Sequence, residues 1–149
     1  MYKKIIFIIS ICIFTQKAHS QTFTFYPWQS QLEISSNPQN RLWLQFRIQG
    51  NSVFSSMNTE IAPMITFKKK PKSVFYFGPG VQFNILNELN EKKILNGYFL
   101  NIGTRAYPFE KNKNIGIAFE LSPYANQDFD IGTWRYLFGV SYSFGKSEN

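Results

Sequence analysis

The chain contains one cysteine and one histidine, Cys12 and His19, and both fall in a stretch that export would remove. Lys3 and Lys4 form a charged beginning, Ile5 to Phe14 an apolar run, and Ala18-His19-Ser20 a small-x-small cleavage site before Gln21. Residues 1–20 are therefore read as a cleaved signal peptide and residues 21–149 as one domain. Cys12 does not suit lipoprotein processing, because Ser10 and Ile11 precede it inside the apolar run. Without the leader there is no thiol for a disulfide or a thiolate metal site. There is also no imidazole, which removes the usual general base and the commonest transition-metal ligand. The apolar run is far short of the ~20 residues a membrane helix needs. No segment shows a helical apolar face.

What is present is period-2 alternation. Six strands stand out: Arg41 to Gly50, Asn58 to Lys68, Ser73 to Asn84, Tyr98 to Pro108, Ile115 to Tyr124 and Trp134 to Phe144. In the first, Leu42, Leu44, Phe46 and Ile48 oppose Arg41, Trp43, Gln45, Arg47 and Gln49. Two weaker runs, Gln21 to Tyr26 and Gln29 to Ser36, bring the count to eight; in the second, Leu32 and Ile34 oppose Glu33.

Charge is partitioned in an unusual way. The leader holds three of the lysines and no acid, so the remainder carries +4 rather than +7. Lysines 68–70, 72, 92, 93, 111, 113 and 146 are read as lying in turns or the tail, whereas Arg41, Arg47, Arg105 and Arg135 share polar rows with Glu60 and Glu120. A soluble β protein scatters lysine over its wet face. A transmembrane barrel turns apolar rows to lipid, fills its lumen with arginine–glutamate pairs and leaves lysine at the water edges. Tight turns at 37–40, 69–71 and 111–114 alternate with longer stretches near 51–57, 85–95 and 125–133, as periplasmic turns and outer loops do.

Turn lengths convert this into pairings. Closing Glu110 on Ile115 sets Arg105 opposite Glu120; pairing Gly50 with Met57 sets Arg47 opposite Glu60; Arg135 approaches Glu120 from its other side. Tyr98, Tyr124 and Trp134 are expected at the outer rim, with Tyr107, Phe109 and Phe144 at the inner rim. Pro63 and Pro79 predict bulges or locally broken pairing, and Pro108 and Pro123 strand ends. Glycine and alanine in the polar rows (Ala62, Gly78, Gly80, Gly103, Gly116, Ala118, Gly139) favour a crowded interior, while Trp43, Phe99 and Leu137 on those rows run the other way.

Catalytic motifs are weak. A serine–lysine dyad would need a lysine of lowered pKa, and lysines in turns keep theirs high. The loop Asn126 to Gly132 has the alternating oxygens of a calcium loop, but Ile131 replaces the central glycine and Leu137 the bidentate glutamate. Phe77-Gly78-Pro79-Gly80 precedes no helix and is not a phosphate cradle. The run Lys68 to Lys72 reads as a solvated turn at the lipid phosphates. No enzyme activity, cofactor, metal or nucleic-acid partner is expected.

The leader, the glycine-containing Tyr76 to Phe83 and the closing Leu137-Phe138-Gly139-Val140-Ser141-Tyr142-Ser143-Phe144 resemble the small outer-membrane β-barrel proteins common in Bacteroidota. The resemblance spans most of residues 21–149. It implies the cell outer membrane, contact with its lipid and lipopolysaccharide, and insertion by the barrel-assembly machinery, which reads a last strand ending like Phe144. Gly145 to Asn149 follow that aromatic here. The resemblance transfers no catalytic residue. The resulting expectation is an all-β, single, antiparallel up-and-down transmembrane barrel of eight strands. Its lumen would be plugged by Arg47, Glu60, Arg105, Glu120 and Arg135, and its role would be structural or adhesive through three outer loops. The alternative is a soluble secreted or periplasmic lipocalin-like carrier. It would put Leu44, Ile65, Phe77, Ile102, Phe119 and Val140 inside and the charges in water.

Overall fold

The computed structural model describes residues 21–50, 57–84, 87 and 93–145. Eight antiparallel strands follow one another around a closed up-and-down barrel: β1 Gln21–Tyr26, β2 Gln31–Ser35, β3 Leu42–Gly50, β4 Met57–Lys70, β5 Ser73–Asn84, β6 Leu95–Ala106, β7 Ile115–Asn126 and β8 Gly132–Phe144. Each pairs with the next, and β8 pairs back onto β1 from Gln21↔Phe144 to Phe25↔Val140. The leader at 1–20 and the loop residues Val53, Phe54, Ile85 and Leu86 lie outside the described residues.

Alternation decides the two faces. Leu44, Phe77, Leu100, Ile102, Phe119, Phe138 and Val140 are exposed, whereas Gln45, Arg47, Glu60, Asn101, Arg105, Glu120 and Ser141 are buried. Because the side-chain period is two, one choice of facing for a strand sets it for every residue up to the next bulge. Trp43, Phe99 and Leu137 follow their polar rows inward and are buried. Small residues make room for them: a Cβ on Gly80 would run into the Phe99 ring.

The prolines show how a closed ladder tolerates missing donors. On the β4–β5 seam the pairing stops after Ile61↔Val81 and resumes at Ile65↔Phe77 in unchanged register. That register brings Pro63 opposite Pro79, so both absent N–H groups fall in a single gap. Pairing is locally broken there, without a bulge. Pro63 still faces Leu44 on β3, and Pro79 faces Leu100 on β6. Pro108 lies beyond the end of β6, but Pro123 is inside β7, opposite Trp134, and the β6–β7 ladder skips from Phe99↔Tyr124 to Ile102↔Leu121 around it. The register slips elsewhere, between Thr66 and Lys68 and between Gln82 and Phe83.

Two expectations about connections are corrected. Lys68, Lys69 and Lys70 belong to the end of β4, and the turn to β5 is only Pro71-Lys72. The β6–β7 connection spans 107–114, longer than the tight turn expected at Lys111 to Asn114, because β6 stops at Ala106. A further short connection, the 3-10 turn Pro27–Gln29 with Ser30, joins β1 to β2 at the same end as the longer loops. There β8 runs on past the top of β1. Gln29 donates to the Tyr136 carbonyl (2.6 Å) and Trp28 packs edge-on against Phe138, covering part of that free edge.

Barrel closure depends on close approach at Gly139, where a Cβ would lie 2.7 Å from both the Phe25 carbonyl oxygen and the Tyr26 ring. Gly139→Val is expected to cost at least ~2 kcal/mol by forcing β1 off β8. Gly132→Val, whose Cβ meets only the Tyr124 carbonyl at 3.5 Å, should cost far less. Denaturant midpoints followed by tryptophan fluorescence decide between these outcomes.

Candidate functional site: the charged lumen

Six charged side chains meet inside the barrel: Glu33, Arg47, Glu60, Arg105, Glu120 and Arg135. Three ion pairs cross the full width of the lumen. Arg105 on β6 reaches Glu33 on β2 (2.7 Å), Arg47 on β3 reaches Glu120 on β7, and Arg135 on β8 reaches Glu60 on β4 (2.5 Å). In a ring of eight strands each of these pairs joins strands four positions apart, so the three are successive diameters. Arg47 also contacts its strand neighbours Glu33 and Glu60, both at 3.4 Å.

Local structure aims these groups. Glu33 and Arg47 are direct partners on the β2–β3 ladder, as are Arg47 and Glu60 on β3–β4, so three charges line one inner row. Glu120 faces Gly103 on β6. A Cβ at Gly103 would sit 2.7 Å from Glu120 Cγ and 2.8 Å from the Tyr76 ring, so glycine there clears the path of the glutamate into the lumen.

Neutral donors complete the carboxylates. Tyr76 donates to Glu120 (2.7 Å), and the Tyr26 hydroxyl lies between Glu33 (2.8 Å) and Glu120 (3.0 Å). Gln45 donates to Glu33 (2.5 Å), Thr24 to Glu33 (3.2 Å) and Gln82 to Glu60 (2.9 Å). Arg135 also donates to Ser122 Oγ (2.8 Å). Rings cover the guanidinium faces: Arg105 lies over Trp43 and Tyr76, and Arg135 over Phe99 and Tyr124. Among the described residues, Arg105 Nε and Nη1 meet no hydrogen-bond acceptor, and the guanidinium lies against these rings.

Of the expected lumen charges, Arg47, Glu60, Arg105 and Glu120 are fully buried, and Arg135 is 21% exposed near the mouth with the longer loops. Arg47 faces Glu60 as the turn arithmetic predicts, and Gly50 faces Met57. Two expected pairings are corrected. Arg105 lies opposite Ala118, because the β6–β7 ladder ends at Ala106↔Ile117 and displaces the register by two. Arg135 lies opposite Ser122 and binds Glu60 rather than Glu120. Glu33 is the member missed; its place against Leu32 and Ile34 was the available signal. Tyr124 and Tyr107 are also corrected: both turn inward onto the buried cluster of Trp43, Met64, Tyr76 and Phe99. The loop at 126–132 is closed by its own side chain, since Asn126 Oδ1 accepts from the N–H groups of Asp130 (3.1 Å) and Ile131 (3.2 Å).

The arrangement is a network of ion pairs that crosses the lumen. Its charges are satisfied by one another, and no group of three or more metal-ligating side chains occurs among the described residues. Compared with known proteins, the chain matches no family model, no curated protein and no solved structure.

Glu33→Gln leaves the fully buried Arg105 without its carboxylate and is expected to cost about 3–5 kcal/mol. Adding Arg105→Met should recover much of that loss, because both ends of the diameter are then neutral. Glu110→Gln, at an exposed pair with Lys72, should leave the unfolding midpoint close to that of wild type. Equilibrium unfolding of the four proteins is the check.

Proposed function

We propose that the chain is an integral β-barrel of the cell outer membrane, exported by its leader and inserted by the barrel-assembly machinery. Its role is structural or adhesive, exercised through the connections at one mouth. The observation that carries this reading is the orientation of the wall: exposed apolar rows surround a buried, charged interior. A lipocalin-like carrier needs the reverse, an apolar interior to hold its ligand. Leu44, Phe77, Ile102, Phe119 and Val140, which would line such an interior, are on the outside.

Dimensions support the same reading. The longer strands β4 to β8 have 12 to 14 residues. At about 3.3 Å per residue and a tilt of about 40° such strands cover roughly 30 Å, against an apolar band of about 25 Å in membrane barrels. Exposed Trp28, Tyr98 and Trp134 lie near one rim, Phe109 and Phe144 near the other. The diametric ion pairs occupy the lumen, which favours a closed barrel over an open pore. The barrel acts without catalysis or a cofactor, and lipid and lipopolysaccharide are its surroundings.

The test combines localisation with a lipid-facing charge. A washed membrane fraction should contain the protein, and its gel mobility should change on boiling. Val140→Arg, on the exposed row of β8, should destabilise the bilayer-inserted protein by about 2–4 kcal/mol. Recovery as a soluble protein indifferent to that arginine would overturn the reading.

A further inference from the structure

The two ends of the barrel differ in charge. The end formed by the turns at 36–41, 71–72 and 107–114 carries Arg41, Lys68, Lys69, Lys70, Lys72, Lys111 and Lys113. Its one carboxylate among the described residues, Glu110, is engaged by Lys72 at 2.6 Å. Seven cations against one paired acid leave a strongly positive rim, and long-range fields of this kind attract anionic surfaces.

Part of that rim is shaped. Arg41, Ile65, Thr66, Phe67, Lys68 and Lys69 line one surface groove of about 440 Å³. The β4 bulge builds it. The register slips between Thr66 and Lys68, so Phe67 is the extra residue and Lys68 comes opposite Phe75. Simple alternation from buried Thr66 would send Lys68 to the inner row; the bulge instead sets it on the outer row directly after exposed Phe67. Phe67 extends an aromatic wall through Phe75 (6.4 Å between centroids) and Phe77 (5.8 Å). The floor is tied down: the Thr66 N–H donates to the Arg41 carbonyl (2.9 Å), its hydroxyl donates to the Pro38 carbonyl (2.9 Å), and the Trp43 indole donates to that hydroxyl (3.0 Å). No carboxylate among the described residues pairs with Arg41, Lys68 or Lys69.

We propose that this groove binds one anionic glycerophospholipid, its phosphate held by Arg41, Lys68 and Lys69 and its acyl chain laid along Phe67 and Phe77. The inference rests on the membrane reading and deepens it. Charge complementarity selects an anionic headgroup, and the adjoining apolar wall selects a ligand that carries hydrocarbon beside its phosphate. A phospholipid is favoured over lipopolysaccharide because the groove opens at the end with both strand termini, β1 and β8, which that reading places on the periplasmic leaflet. An anchored lipid at this depth would fix the height and tilt of the barrel.

The experiment is native mass spectrometry of the full barrel released from neutral detergent after adding phosphatidylglycerol, phosphatidylcholine or lipid A. Each sample is first checked for a mobility shift on boiling. Wild type should retain phosphatidylglycerol in preference to the other two. Arg41→Gln with Lys68→Gln should lose that preference by about tenfold or more, since each cation near an anionic surface contributes about fivefold. Lys111→Gln with Lys113→Gln removes the same charge from the same end and should keep it. Equal losses in the two variants would overturn the groove in favour of diffuse attraction. A folded barrel without lipid preference, or one preferring lipid A, would overturn it as well. A wild-type protein that never shows the boiling shift defeats the membrane reading itself, and the groove falls with it.

Discussion

Arg47 touches three carboxylates, and two further arginines reach across the barrel to share them. Burying an ion away from water costs several kcal/mol even after relaxation, so five buried charges and a half-buried sixth, Arg135, impose a strict demand: each must find its partner at once. The barrel meets it with three diameters, β2 to β6, β3 to β7 and β4 to β8. Ladder hydrogen bonds align each strand only with its neighbours. These ion pairs align strands on opposite walls, so a slip of one residue on any of the six strands would break a pair and expose its charges. Their net contribution to stability is modest; their contribution to a single register is large.

The same constraint shapes the rest of the interior. Long arginines and glutamates fill the lumen only if facing positions are small, hence Gly103 opposite Glu120 and Gly139 against Tyr26. Aromatic residues on the inner rows then act as covers for guanidinium faces instead of as an apolar binding surface. The outer wall, freed from contributing to a core, is apolar over most of its strands. Wall and plug are thus two consequences of one alternation.

Much of the wall was legible in the sequence. The bounds of Ser73 to Asn84 and Gln21 to Tyr26 were read as they stand, because alternation starts and stops sharply beside turn residues. Arg47 opposite Glu60 followed from pairing Gly50 with Met57. Arg105 was misplaced because the ladder opens before the turn at 107–114, and counting back from a turn assumes it does not. Glu33 was overlooked because β2 is only 5 residues long, too few for a strong periodic signal. The cross-lumen partners were not legible at all. Strand order and turn length specify neighbours along the wall, whereas Arg105 with Glu33 depends on barrel curvature, strand tilt and how far each side chain extends. Likewise the bulge at Phe67, which turns Lys68 outward, leaves no mark in composition.

In the proposed membrane barrel the apolar rows meet lipid and the charged rows do not. Single cysteines along β8 at Leu137, Phe138, Val140, Ser141 and Tyr142 would be spin-labelled in the bilayer-reconstituted protein and probed with oxygen and a polar nickel complex. A period of two is expected, with positions 138, 140 and 142 open to oxygen and closed to nickel, and 137 and 141 shielded from both. Oxygen access without that period, or nickel access at 138, 140 and 142, would contradict the assignment of the apolar rows to lipid.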